Sequence, residues 1–406
     1  MSLHKSLKVK YFFIVLLGFS ILLSSVRVVA AFSSKNSISI LKEKYNLALQ
    51  GGPKIKILIV PGHDVSSGGA EFRGIKERDL TVALAKKLQV FLLAPTSPRL
   101  RGAGNSAFEA ILARDDKNYN PLLEKYFETE KESINKFIQD SKEGNNTLVL
   151  DGAFEVRDGI VHTDATPEMA FKLYGINRYA NDNDIDLIIH IHFNDYYRRK
   201  DYNPGDYRGI SIYVPDDQFK NSDISKKIAE SVLNELNIFW PTSNLPEESQ
   251  GIIPDQKLIA VGAYNTLNQP AFLIEYGYIY ETQFRSKKIR DMVLDEQAFR
   301  TYNGLINFFS SQSREDENLK SKFLSPISKT IIRKDEKNVD VLRLQAALSR
   351  LKFYPPKDFN EYRCPLDGVF GKCTLLSVKE FQKINKLKQD GIAGSKTIKK
   401  INDLTL

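Results

Sequence analysis

Cysteine is scarce in this chain: only Cys364 and Cys373 occur among its 406 residues, close together near the C-terminus. Neither has partners at metal-ligand spacing, which excludes a thiolate-held metal, and an ordinary apolar content supplies a core without disulfide staples. In an oxidising compartment the two can close a short local loop; the alternative is a pair of free thiols. Histidine is limited to five residues. The glycine-bearing stretch after the first apolar run has no Gly-Lys-Ser/Thr ending, and no Gly-x-Gly-x-x-Gly opens the helix behind it, so a phosphate cradle is excluded. A stripe of one charge sign is also missing. The formal charge is +8 and the pI about 9.1, but lysines and arginines are interleaved with acids. That pattern argues against nucleic acid and suits an acidic polymer or a membrane surface.

The N-terminus reads as an export signal. Lys5, Lys8 and Lys10 precede an uncharged stretch from Tyr11 to Leu23, and Val28-Val29-Ala30-Ala31 supplies small residues for cleavage. Arg27 interrupts the apolar run and leaves it short for a full span. Residues 1–31 are therefore expected to be a signal peptide cleaved near Ala30 or Ala31, with retention as a membrane anchor as the other outcome. The remainder is expected to work in the periplasm, the cell wall or outside the cell.

Ile57-Leu58-Ile59-Val60 is an apolar run of the kind a strand covered on both faces needs, and Pro61-Gly62-His63 leaves a histidine at its end. Asp64 to Lys76, with Gly68, Gly69 and Gly74, reads as a folded-back loop. Leu80, Ala83, Leu84 and Leu88 then set a helix opened by Glu77. Phe108 to Leu112 and Leu148-Val149-Leu150 read as further strands, Arg157-Asp158-Gly159 as a hairpin-like turn, and Pro167 to Asn181 as a helix. Tyr119 to Asp140 is helical and charged, either a solvated face or a lid over a site. On the buried strand Leu187 to Asn194, alternation puts His190 and His192 on one face. Gly209 to Val214 gives a strand, Ser225 to Leu236 a helix, Ala271-Phe272-Leu273-Ile274 a strand ending in Glu275, and Asp295 to Phe309 a helix. Strands alternating with helices predict an α/β fold, a twisted and mostly parallel sheet flanked by helices, with sites at the strand ends.

His63 on a strand end and Glu77 on the next helical turn can point at one spot, which is half of a zinc site. Taken singly they also fit a satisfied histidine and a glutamate that complements its helix dipole. With His192 the set becomes two nitrogens and one carboxylate, leaving a fourth position for water. Glu275, at another strand end, is the right kind of group to act as general base.

These residues resemble the zinc-dependent N-acetylmuramoyl-L-alanine amidases of the type 3 family. The likeness runs through Ile59-Val60-Pro61-Gly62-His63 to Glu77-Arg78-Asp79-Leu80, then Ile191-His192-Phe193-Asn194 preceded by Arg178-Tyr179-Ala180-Asn181, then Pro270-Ala271-Phe272-Leu273-Ile274-Glu275-Tyr276-Gly277. It implies one Zn2+ held by His63, Glu77 and His192, Glu275 as general base, and hydrolysis of the amide between N-acetylmuramic acid and L-alanine of peptidoglycan. A zinc peptidase cutting inside the stem peptide uses the same metal chemistry and stays open, as does a catalytically inactive wall-binding protein. Three departures stand out. Asp64 replaces the usual glycine, His190 stands where serine is common, and Leu92 to Thr166 is longer than the family core needs. His190, one pleat back from the rim, is read as a structural or supporting residue rather than an alternative ligand.

Ser310 to Lys334, rich in serine and charge, reads as a linker. Beyond it an internal echo, Asp367 to Thr374 and Asp390 to Thr397, places an Asp-Gly turn before a glycine and a threonine expected to cap the next helix. With Val341-Leu342-Arg343-Leu344-Gln345 and Phe381-Gln382, this tail resembles the type 1 peptidoglycan-binding domain, a small all-α unit. The expected organisation is a catalytic domain over 54–310, a linker over 311–333 and a binding domain over 334–404. Peptidoglycan is the expected partner, and no residue of the tail is assigned to binding.

Overall fold

The computed structural model describes residues 38–95, 106–157, 160, 165–196, 200, 202–310 and 320–405. The expected export segment at 1–31 and the Asp158-Gly159 turn lie outside them. Among the described residues no helix is long and apolar enough to cross a membrane.

A helix over 38–48, α1, leads into strand β1 (Ile55–Pro61). The folded-back loop that follows contains a short hairpin, β2 (Glu71–Phe72) and β3 (Ile75–Lys76), and Glu77 opens α2 (Glu77–Leu93). Then come β4 (Phe108–Leu112), α3 (Pro121–Thr129), α4 (Lys131–Leu150), α5 (Pro167–Asp182) and β5 (Leu187–Asn194). The order continues with β6 (Ser211–Pro215), α6 (Ser222–Leu236), β7 (Ile252–Asp255), β8 (Ala271–Tyr278) and α7 (Lys287–Phe309). Six strands form one sheet in the order β4-β1-β5-β8-β6-β7. The first four are parallel, whereas β6 runs antiparallel to β8 and carries β7 parallel to itself.

Period-two alternation divides each central strand between two cores. Ile57, Ile59, Ile189, Ile191, Phe272 and Ile274 pack with Leu84 and Leu88 of α2, Ile228 and Val232 of α6 and Tyr302 of α7. Leu58, Val60, Ile188 and Ala271 face the other way, against Leu123, Phe127, Ile134, Ile176 and Tyr179 of α3, α4 and α5. His190 and His192 share the parity of Ile188, and Glu275 that of Ala271, so all three belong to the face covered by α3–α5.

Two expected elements differ. Leu148-Val149-Leu150 is the end of α4 rather than a strand, and Leu150 is 86% exposed. A helix already running from Lys131 extends through three apolar residues at one hydrogen bond per residue, whereas a new strand would need an edge to pair with. Helix α7 starts at Lys287, ahead of the expected Asp295, because Ile289, Met292 and Val293 continue its buried stripe.

The C-terminal unit has three helices, α8 (Val339–Arg350), α9 (Lys372–Ile384) and α10 (Ser395–Thr405). Its sequence echo has a structural counterpart. Gln345 accepts from Gly368 N (2.8 Å) and donates to Val369 O and Thr374 Oγ1. Gln382 accepts from Gly391 N (2.9 Å) and donates to Ile392 O and Thr397 Oγ1. Thr374 and Thr397 therefore lie inside the first helical turns, held by a glutamine, and Thr374 is not the cap of α9, where Gly371 stands. Cys364 and Cys373 form a disulfide.

Part of the stretch expected to be a linker is packed. Phe323 is fully buried, 5.2 Å from the Phe239 ring and 5.6 Å from Trp240. Glu296 of α7 accepts from Ser321 Oγ (2.8 Å) and Phe323 N (3.3 Å). The three-helix unit sits directly on the sheet domain: Tyr362 Oη donates to Thr242 O (2.9 Å), and a Cβ added to Gly368 would lie 2.5 Å from Ile289. Phe323→Ala is expected to destabilise the chain by about 3–5 kcal/mol, the range for a large buried aromatic. Urea unfolding measures this, and a free, unpacked linker would give almost no change.

Candidate metal centre

His63, Glu77 and His192 converge at the C-terminal edge of β1 and β5, with one ligand-type atom from each lying within 4.8 Å of the others. The strand order makes this possible. β1 and β5 are neighbours with Pro61 opposite Ile191, so His63 just past β1 and His192 near the end of β5 share one edge. The loop from His63 then doubles back through β2 and β3 and delivers Glu77 to the same point.

Glu77 is the hub. Its Oε2 meets His63 Nε2 at 3.1 Å and accepts from Ala70 N at 2.9 Å, while its Oε1 meets His192 Nδ1 at 3.1 Å and accepts from Phe193 N at 3.1 Å. Burial disfavours its charge, but hydrogen bonds from His192 and His63 outweigh that and hold the carboxyl well below the usual range. Burial also works against a charge on His63, yet the Glu77 contact carries its pKa above the ordinary value. His192 is more enclosed, and there burial wins over Glu77 and the pKa falls.

Close approach explains the glycines. A Cβ on Gly62 would lie 2.3 Å from the His192 ring, and one on Gly69 would lie 2.6 Å from both Glu77 Oε2 and the His63 ring. His63 itself adopts φ 61°, a left-handed conformation that costs a residue with a side chain on the order of 1 kcal/mol or more. The donor set suits zinc: two imidazole nitrogens and a carboxylate, on a floor that opens into a cavity of about 1000 Å³.

Glu275 lies beside His192 on the adjacent strand and lines the same cavity. Its Oε2 is buried with no hydrogen-bond partner among the described residues. Burial, followed by the charges of Glu77 and Glu248, raises its pKa well above the ordinary value. Asp64 stays apart from the three-residue cluster. Its carboxylate accepts from Ser66 N (2.9 Å) and Ser67 N (3.0 Å) and pairs with Lys172 of α5 at 3.0 Å, so it braces the loop. His190 is buried behind His192, and neither ring nitrogen has a partner among the described residues.

Several residues in and around the site were not identified from the sequence. Arg114 follows the end of β4 at the same sheet edge, and a polar residue just past an apolar strand was the signal that would have found it. Lys172 and Tyr213 line the cavity. Glu248 accepts from Asn194 Nδ2 and Tyr213 Oη at 2.7 Å each, and from Tyr278 Oη at 3.0 Å. Helix α4, expected as a solvated face or a lid, forms part of the cavity wall through Lys142, Asn145 and Val149.

Comparison with known proteins adds the following. Residues 156–307 match the N-acetylmuramoyl-L-alanine amidase family, and residues 337–401 match the peptidoglycan binding domain family. The first match includes His192 and Glu275 and begins after His63 and Glu77. No curated protein sequence matches the chain. Among solved structures, an N-acetylmuramoyl-L-alanine amidase from Clostridium difficile 630 is 17% identical, over 64% of this chain and 98% of that one, with TM-score 0.38. The CwlD amidase from Clostridioides difficile, solved with the GerS lipoprotein, is 16% identical over 64% and 100%, with TM-score 0.40. The amidase AmiC2 of Nostoc punctiforme is 16% identical over 63% and 97%, with TM-score 0.37.

The His190 pKa is pushed down from 6.5 to about 3, by burial first and the neighbouring His192 second. The unfolded chain takes up that proton near 6.5 while the folded chain does not. Stability therefore falls as pH drops through that window, by about 1.4 kcal/mol per unit from this group. In metal-free protein His190→Ser is expected to make the decline shallower by up to about one proton. Urea unfolding between about pH 7 and about pH 4 reads the two slopes, and identical slopes would contradict the assignment.

Proposed function

We propose that this chain, which carries an N-acetylmuramoyl-L-alanine amidase domain followed by a peptidoglycan-binding domain, is an exported zinc enzyme that cuts the amide between N-acetylmuramic acid and L-alanine. The observation that carries the zinc reading is the convergence of His63, Glu77 and His192 within 4.8 Å, with Glu275 in register beside His192. His63, Glu77 and His192 would hold the ion. When bound, zinc lowers the pKa of a coordinated water to about 7 and polarises a carbonyl.

The chain's own residues do the rest. Glu77 keeps its charge in a buried position with Ala70 N and Phe193 N donating to it and the two imidazoles beside it, and the ion would take the place of the imidazole contacts, so the carboxylate suits a ligand. Glu275 Oε2 has no such partner among the described residues and burial raises the group's proton affinity, which suits a group that takes a proton from the attacking water and returns it to the leaving amine nitrogen of L-alanine. As the C–N bond breaks, the carbonyl carbon keeps the hydroxyl and the amine keeps the proton. The cavity gives room for atoms on both sides of the bond. The peptidoglycan-binding domain keeps the enzyme on its polymer. Residues 1–31 would supply export, either as a cleaved signal or as an anchor.

Glu275→Gln is expected to lower turnover about 10²- to 10⁴-fold while zinc content stays at one per chain. His192→Ala is expected to lose zinc and activity together. Chelation should abolish lysis of sacculi, and added zinc should restore it. Mass spectrometry of the products identifies the bond. Free stem peptides beginning with L-alanine are expected, and cuts between amino acids would replace this reading with a peptidase.

A further inference from the structure

We propose that Arg114, together with Thr81, is a positioning residue for the metal site, clamping the strand end that carries His63 to the helical turn that carries Glu77. The inference rests on the metal reading above. Arg114 is 1% exposed. Its Nη2 donates to Gly62 O at 2.9 Å, Arg78 O at 3.1 Å and Thr81 Oγ1 at 3.2 Å, and its Nη1 donates to Asp116 O. Thr81 Oγ1 in turn lies 3.0 Å from Gly62 O and 3.1 Å from Arg78 O. Gly62 immediately precedes one proposed ligand and Arg78 immediately follows another. A single guanidinium and a single hydroxyl thus join both ligand-bearing segments from behind.

The partners of this arginine are informative. Among the described residues it has no carboxylate within ion-pair distance, so its buried charge serves carbonyl and hydroxyl oxygens. A guanidinium offers several N–H groups in a fixed plane, and a lysine ammonium on a flexible stem does not reproduce that fork. The segment it holds has no slack. Gly62 already touches the His192 ring, and His63 sits at φ 61°. A small shift of the Gly62 carbonyl therefore moves His63 relative to both of its neighbours. Outer contacts of this kind typically change metal affinity by about 10- to 100-fold.

The test is zinc affinity of the full chain, measured by competition with a chromophoric chelator, alongside the absorption bands of the cobalt(II)-substituted site and the metal-free Tm. Arg114→Lys and Thr81→Val are expected to weaken zinc about 10- to 100-fold and to shift the cobalt bands, while Thr81→Ser retains both. An Arg114→Lys protein with wild-type metal-free Tm and wild-type zinc affinity overturns the proposal. If that variant does not fold, Thr81→Val decides: unchanged affinity and unchanged bands overturn it. A wild-type chain that takes up no zinc sinks the metal reading itself, a result distinct from the failure of the clamp.

Discussion

A carboxylate buried between two imidazoles tolerates few arrangements, and the edge of this sheet is built around the one that Glu77 adopts. Removing such a charge from water is costly unless every lone pair is met. Here His63, His192 and the backbone of Ala70 and Phe193 meet them. Together the four contacts fix three segments: the residues just past β1, the end of β5 and the loop between β1 and α2. The glycines at 62 and 69 follow from the same crowding, because a single methyl group at either would occupy space that the His192 or His63 ring already fills. The left-handed backbone at His63 is the strain left over when so many groups are drawn to one point.

Much of this was legible in the sequence because strand periodicity and strand ends are local signals. An apolar run followed by a histidine, a second run with histidines of one parity, and a third ending in glutamate bring His63, the pair His190 and His192, and Glu275 into view; the family resemblance selects His192 from that pair, and parallel pairing places these strand ends side by side. Arg114 carries a local signal, a polar residue just past an apolar strand, but its partners lie up to 52 residues away and the sequence does not show what it holds. Glu248 escaped because Tyr213 and Asn194 reach it from other strands. The misread stretches share a cause too. Leu148-Val149-Leu150 has strand-like composition, but an established helix reaches it first, and Phe323 sits in a polar, serine-rich context whose only fault as a linker is the pair of distant rings that enclose it.

The length between Leu92 and Thr166 has a physical use. It brings α3 and α4 across the face of the sheet that carries His192 and Glu275, where Leu123, Phe127 and Ile134 close a second core. The distal half of α4 is left facing the cavity with few buried side chains of its own. Asp64 belongs to the same adaptation. Its pairing with Lys172 ties the loop after β1 to α5, so the carboxylate at that position braces the loop and stays apart from the His63, Glu77 and His192 cluster.

The seating of Phe323, and of Gly368 against Ile289, bears on how the two lobes meet an insoluble polymer. A wall anchor on a slack cord lets a catalytic lobe sweep many bonds around each point of attachment. A lobe whose heading is already settled when the polypeptide folds reaches only those bonds lying at one spacing and one angle from where its companion has landed.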